Sequence, residues 1–166
     1  MAHDSRPDPT RVELHEAAVA DRAFLDELLL LTHAEPLAHL DEDQRQPLAT
    51  MQMRAQERQY RSDWPQAGHD IISLDGKPIG RVLVNVGHDV WWLVDIVLLP
   101  DFRGRGIGGA IINRLLDGAN SARLPLRLRV TKHNPARRLY ERLGFSSIDD
   151  NGMHNVMEKP PASGSP

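Results

Sequence analysis

Three groups of residues have the types and spacing to do chemistry. The first is the stretch DFRGRGIGGAIINRLL, Asp101 to Leu116, which packs Gly104, Gly106, Gly108 and Gly109 together with Arg103 and Arg105. Glycine inside a helix costs roughly 1 kcal/mol relative to alanine. Side-chain-free residues at a helix start, however, let an anion reach unpaired backbone N–H groups at the positive end of the dipole. Flanking arginines can pair with phosphate oxygens. A phosphate-binding turn therefore accounts for glycines and arginines together, whereas a flexible loop with solvated arginines leaves Gly108 and Gly109 unexplained. The second group is Tyr140 within HNPARRLYERLGF, His133 to Phe145. The third is Asp95, an ionisable residue inside the apolar run WWLVDIVLLP. A carboxylate there needs a reason: it takes a substrate proton or binds a cation, or it pairs with a backbone N–H or an arginine of the sheet.

These residues must be held by regular elements. A short strand is expected over Thr10–Glu16, then an amphipathic helix over Ala20–Thr32 and a helix-forming stretch from Leu40 to about Arg61 that Pro47 breaks or restarts. Three strands follow as a meander: His69–Leu74, the turn DGKP, Ile79–Val86, and Val90–Leu99. Near-continuous apolarity from Trp91 to Leu99 predicts a central strand buried on both faces. Period-two alternation puts Trp92, Val94 and Ile96 opposite Asp95 unless a bulge re-aims it. Next come a helix over about 106–122, a strand at Leu126–Val130, a helix at Pro135–Leu143 and two last strands near 145–148 and 154–158. The second of these helices has readable ends. Asn134 suits the N-cap, Pro135 the first turn, and Gly144 a left-handed C-cap that lets Phe145 pack back near Tyr140. Ala136, Leu139, Tyr140 and Leu143 share one face. The order β-α-α-β-β-β-α-β-α-β-β predicts an α/β (α+β) fold with a mixed, mostly antiparallel sheet and helices on both faces.

Composition narrows the function. At 166 residues with 40% apolar content, one domain is expected over 10–159, with disordered tails at 1–9 and 160–166. A net charge of -3 gives no global attraction to nucleic acid or anionic membrane. The arginines of LRLRV, Leu126 to Val130, lie on one strand face, near phosphates or solvent, and lack the interleaved aromatics of a nucleic-acid surface. The absence of cysteine excludes disulfides and thiolate chemistry, and the polar N-terminus has no apolar signal core; both suit a cytoplasmic protein. No run is long enough for a membrane helix, and no histidine has convincing metal spacing, so no metal is expected.

Which phosphate ligand is meant follows from context. A P-loop is absent. Gly104, Gly106 and Gly109 match G-x-G-x-x-G, yet Asp101-Phe102-Arg103 separate the preceding strand from the first glycine. No acidic residue ends the next strand, and too little chain follows for a second mononucleotide half. Instead Arg103-Gly104-Arg105-Gly106-Ile107-Gly108 matches the acyl-CoA signature [RQ]-x-x-G-x-[GA]. Asn134, Ala136, Tyr140, Gly144 and Phe145 follow N-x-x-A-x-x-x-Y-x-x-x-G-F, with one residue rather than two between Asn134 and Ala136. In both motifs, their order and their separation, the chain resembles the GNAT superfamily of acetyl-CoA-dependent N-acetyltransferases over roughly residues 10 to 159.

The resemblance implies a central strand splayed from the next, with the pantetheine arm of acetyl-CoA in the gap. Backbone groups of Val97 and Leu98 would pair with that arm, the N–H groups of Arg103, Gly104, Arg105, Gly106, Ile107 and Gly108 would hold the pyrophosphate, and Asn134 the pantetheine end. Tyr140 matches the general acid, its alternative being a core aromatic whose hydroxyl finds a partner. Asp95 is the candidate base. The acceptor would be a primary amine on a small molecule or a peptide. Acidic residues after the first helix (Glu35, Asp41, Glu42, Asp43) would favour a cationic one, unless they form a solvated face. Trp91-Trp92 and Tyr60 to Trp64 are either an aromatic acceptor pocket or core. A non-catalytic acyl-CoA sensor on the same fold is the rival reading, and the C-terminal strands could pair across a homodimer.

Overall fold

The computed structural model describes residues 8–163; residues 1–7 and 164–166 of the two expected tails lie outside the described residues. The elements are β1 (Val12–Glu16), α1 (Arg22–Ala34), α2 (Glu42–Asp63), β2 (Gly68–Leu74), β3 (Lys77–Val86), β4 (Trp91–Leu98), α3 (Ile107–Ser121), β5 (Leu126–Thr131), α4 (Ala136–Arg142), β6 (Ser146–Asp150) and β7 (His154–Lys159). Their order is the predicted one, with ends displaced by one or two residues, as fraying at element boundaries produces. Pro47 differs from expectation: α2 runs through it without a break. The carbonyl it deprives of a partner belongs to Asp43 in the first turn, on an exposed surface where water replaces the lost N–H.

The strands form one seven-stranded sheet, ordered β1-β2-β3-β4-β5-β7-β6. Every pair is antiparallel except β4–β5. Burial is split between the two sheet faces. One core joins Val82, Leu93, Leu126 and Leu128 to Ile107, Ile111 and Leu116 of α3 and to Tyr140 of α4. Leu28, Leu29 and Ala49 of α1 and α2 are buried outside that cluster, with Ile71 and Leu83 of the sheet. Apolar side chains on both faces thus each find a helical layer, which is what the mixed pattern requires.

The central strand departs from expectation in two ways that shape the site. First, β4 pairs with β5 only through Trp91↔Leu126, Trp92↔Arg127 and Leu93↔Leu128. Beyond that point the strands part, so Val94 to Leu98 are half-buried rather than enclosed, and of this strand only Leu93 is buried. Second, the register against β3 jumps from Leu83↔Asp95 to Val84↔Leu93, leaving Val94 as an extra residue. This β-bulge resets the alternation. Ile96 packs into the α3–α4 core as Leu93 does, although the two have opposite parity. Trp92 comes to lie on the same side as Asp95, under α2, and not opposite to it. Its ring is 5.3 Å from that of Trp64 at the end of α2.

Candidate active site

Where β4 and β5 part, a cleft of about 620 Å³ opens. Its walls are the last turns of α2 (Gln56, Tyr60, Trp64), the bulged stretch Trp92 to Ile96, β5 from Leu128 to Thr131, then Asn134, Tyr140 and His154. The structure therefore brings Asp95, Asn134 and Tyr140 into one cavity. Trp91, by contrast, belongs to the core, where its ring takes the place a Cβ on Gly118 would occupy.

Tyr140 is delivered to this cleft by the local chemistry of α4. Asn134 Oδ1 accepts the Ala136 N–H at 2.9 Å and so caps the helix from just outside it. At the other end Gly144 takes φ +92°, Gly144 N–H donates to Glu141 and Phe145 N–H to Tyr140. These two bonds are a Schellman cap, and the Tyr140 and Phe145 rings meet edge to face at 6.0 Å to complete it. Tyr140 is only 8% exposed, yet its hydroxyl has no hydrogen-bond partner among the described residues. The ring is core, and the hydroxyl faces the cleft. Burial, helped by the negative charge of Asp95, pushes its pKa above the usual 10.0.

Asp95 is not alone. Arg81 of β3, 0% exposed, donates from Nη2 and Nε to Asp95 Oδ2 at 2.7 and 3.2 Å. It also donates from Nη2 and Nη1 to both oxygens of Glu57 on α2, at 2.8 and 3.1 Å. Burial alone would lower the pKa of Arg81, but the hydrogen bonds to Glu57 and the charge of Asp95 reverse that, and it stays charged. Burial pushes the Asp95 carboxyl above its ordinary value, against the lowering pull of Arg81. The arginine pairing weighed from sequence is thus real, while the 18% exposed side chain still lines the cleft with Tyr140. Glu57 and Arg81 were not identified from sequence. Arg81 carried a signal: like Asp95, it is a charge inside an apolar strand (PIGRVLV), and two such strands side by side point to a buried pair.

The glycine turn lies beyond the C-terminal end of β4. Gly104 and Gly106 take φ +69° and +81°, conformations that favour glycine. None of the N–H groups from Gly104 to Gly109 has a partner among the described residues; the first helical bond is Ala110 N–H to Gly106. That is a concave row of donors at the start of a 15-residue helix, which fits an anion as demanding as a pyrophosphate. Gly108 has open space around it, which suits close approach of a ligand. A Cβ on Gly109 would lie 3.7 Å from Leu139, an ordinary contact, so the close packing expected there does not demand glycine. Ile107 is fully buried and offers only its backbone. Arg105 sits 5.9 Å over the Phe102 ring. Arg103 is engaged elsewhere, donating to the Leu98 carbonyl at 3.0 Å and to both Glu35 oxygens at 2.8 and 3.0 Å. The remaining loop acids are partly tied as well: Glu42 bonds Arg45 and Gln46. Arg127 pairs with Glu158 beside Trp92, at the opposite end of β4 from the turn, so it is not a phosphate ligand there.

A splayed parallel pair, a row of free backbone N–H groups at one end and a phenol facing the gap are parts that an acyltransferase would need. The acetyltransferase (GNAT) family model matches residues 33–145, and the chain belongs to this family. It is 36% identical over 87 residues to an uncharacterized N-acetyltransferase of Methanocaldococcus jannaschii, a match spanning 47% of this chain and 38% of that protein. Among solved structures, the PaiA N-acetyltransferase of Thermoplasma acidophilum in complex with coenzyme A has a TM-score of 0.69 at 18% identity, covering 90% of this chain and 98% of that one. The ribosomal-protein-S18-alanine N-acetyltransferase of Escherichia coli gives 0.65 at 19%, covering 93% and 96%. An Elizabethkingia anophelis family member with acetyl-CoA bound gives 0.62 at 16%, covering 90% and 98%. At these identities the likeness is one of fold. Among the described residues no helix is long and apolar enough to cross a membrane, and no group of acids and histidines could hold a metal.

Proposed function

We propose that this protein transfers an acetyl group from acetyl-CoA directly to a primary amine of a small molecule or peptide. The observation that carries the reading is the parting of β4 and β5 after Leu93↔Leu128, with the free N–H row at one end and the Tyr140 hydroxyl in the gap. The thioester supplies an activated acyl carbon and a thiolate leaving group. Backbone groups of Val97 and Leu98, past the last β4–β5 pair, align the arm and polarise the carbonyl, with the Leu98 carbonyl already accepting from Arg103 Nε. The Arg103 N–H is taken by the Pro100 carbonyl, so the amides of Gly104 to Gly108 hold the pyrophosphate, and Asn134 the pantetheine end.

The amine arrives protonated, with a pKa of about 10.4, and must lose a proton before its nitrogen attacks. Asp95 takes that proton, directly or through water. Its Oδ2 is held by Arg81, and the burial that raises its pKa makes it a better base than an exposed carboxylate. As the carbon–sulfur bond breaks, Tyr140 gives its proton to the departing thiolate, and the newly acylated nitrogen releases its remaining extra proton to restore the phenol. With a thiol near 8.5 and a phenol near 10, the transfer is uphill by roughly 2 kcal/mol or somewhat more, which positioning can offset. Thiol release from acetyl-CoA across a panel of amines and peptides tests this. Acetyl-CoA binding without turnover on every acceptor would favour the rival reading, a sensor on the same fold.

A further inference from the structure

Arg129 is the one arginine or lysine lining the cleft, and among the described residues it has neither a salt bridge nor a hydrogen bond. Its neighbours are engaged: Arg127 with Glu158, Lys132 with Asp150, and Asp63 with the amide of Gln59. Leu128 and Val130 on either side of Arg129 are buried in the α3–α4 core, so its side chain stands on the other face, toward α2. It lies one residue past the last β4–β5 pair, on the side that Trp92 and Asp95 share.

On the acetyl-transfer reading, on which this step rests, the donor's negative charges belong at the glycine turn. The part of the donor that enters the cleft, the pantetheine arm and thioester, is neutral. An anion for Arg129 must then come with the acceptor. A guanidinium presents a planar fork that matches a carboxylate. Trp64, Trp92 and Tyr60 offer an aromatic wall, and Asp63 and Asp95 the charge for an ammonium. We propose that the acceptor is a small amino carboxylate with an apolar or aromatic body, its carboxylate held by Arg129 while its amine faces Asp95 and Tyr140.

The test compares phenylalanine, phenylalaninamide and phenethylamine as acceptors, with rates expressed per unprotonated amine. Phenylalanine should be preferred in kcat/KM by about tenfold, less than a fully buried site would achieve because the guanidinium is exposed. Arg129→Met should collapse that preference to about twofold, through KM rather than kcat, and Arg129→Lys should keep part of it. Equal or better use of the two uncharged acceptors by the wild type overturns the proposal and leaves acetyl transfer standing. Equal loss on all three acceptors in Arg129→Met overturns it too, since that is a structural effect. A dipeptide with free C-terminus that outruns phenylalanine overturns the small-molecule assignment. If none of the panel is acetylated the proposal falls, and acetyl-CoA binding by calorimetry then shows whether the donor site itself survives.

Discussion

Arg103 Nη1 donates to both oxygens of Glu35, an ion pair that ties the start of the glycine turn to the loop after α1. The same guanidinium holds the Leu98 carbonyl, one of the backbone groups proposed to receive the pantetheine arm. A bound pyrophosphate therefore competes with Glu35 for Arg103. Glu35→Gln should tighten acetyl-CoA binding by about two- to fivefold, and Arg103→Gln should weaken it similarly, the scale of an exposed pair. Calorimetric titration reads both, and the gap should narrow in high salt. Unchanged affinity in Glu35→Gln would show that the pair and the donor do not compete.

Tyr140→Phe should lower kcat about 100-fold, with little change in acetyl-CoA affinity. Stability should hardly move, since the hydroxyl has no protein partner to lose and the ring keeps its contact with Phe145. Because burial and Asp95 raise the tyrosine's pKa above 10.0, the acid stays protonated and the wild-type rate should show no alkaline fall below that pH. A fall between pH 8 and 9 that vanishes in Tyr140→Phe would contradict the raised value.

Asp95 links the site to stability. Its folded pKa is raised above the ordinary 3.8, so the folded state holds the proton more tightly than the unfolded state. That contribution is full below the unfolded pKa and is lost as pH rises through the folded one. Denaturant melts of wild type and Asp95→Asn should accordingly diverge in slope from pH 4 upward, with the wild type losing stability relative to the variant. Parallel curves would mean that Arg81 fully offsets the burial. Arg81→Met, which strands two carboxylates, should cost about 2–4 kcal/mol, somewhat below a fully buried pair because both acids keep some exposure.

The helix glycines should separate by cause. Gly109→Ala should raise stability by up to about 1 kcal/mol, since the added Cβ meets only an ordinary contact. Gly118→Ala should lower it by about 1–3 kcal/mol, because the Cβ would lie 2.7 Å from the Trp91 ring. Gly106→Val should lower both stability and acetyl-CoA affinity, as a β-branched residue resists φ +81° and fills the approach to the turn. Thermal melts with and without acetyl-CoA distinguish these effects.

Much of this could be read along the chain, because it depends on short-range physics. The period of apolar residues gave the element order. Asn134 and Gly144 marked the ends of α4, whose cap geometry turns Tyr140 toward the sheet. The run of glycines pointed to a helix start with free backbone N–H groups, and that row is present from Gly104 to Gly109. What only the tertiary structure decided depends on how distant segments pair. The bulge at Val94 reversed the side on which Trp92 lies. The early parting of β4 and β5 turned an apparently enclosed strand into a cleft wall. Arg81, Glu57 and Asp95 come from three elements, and their union lies in no local pattern. Two charges in adjacent apolar strands hinted at half of it. The helix that supplies the other carboxylate is chosen by packing alone, and so is the free side chain of Arg129 in the cleft.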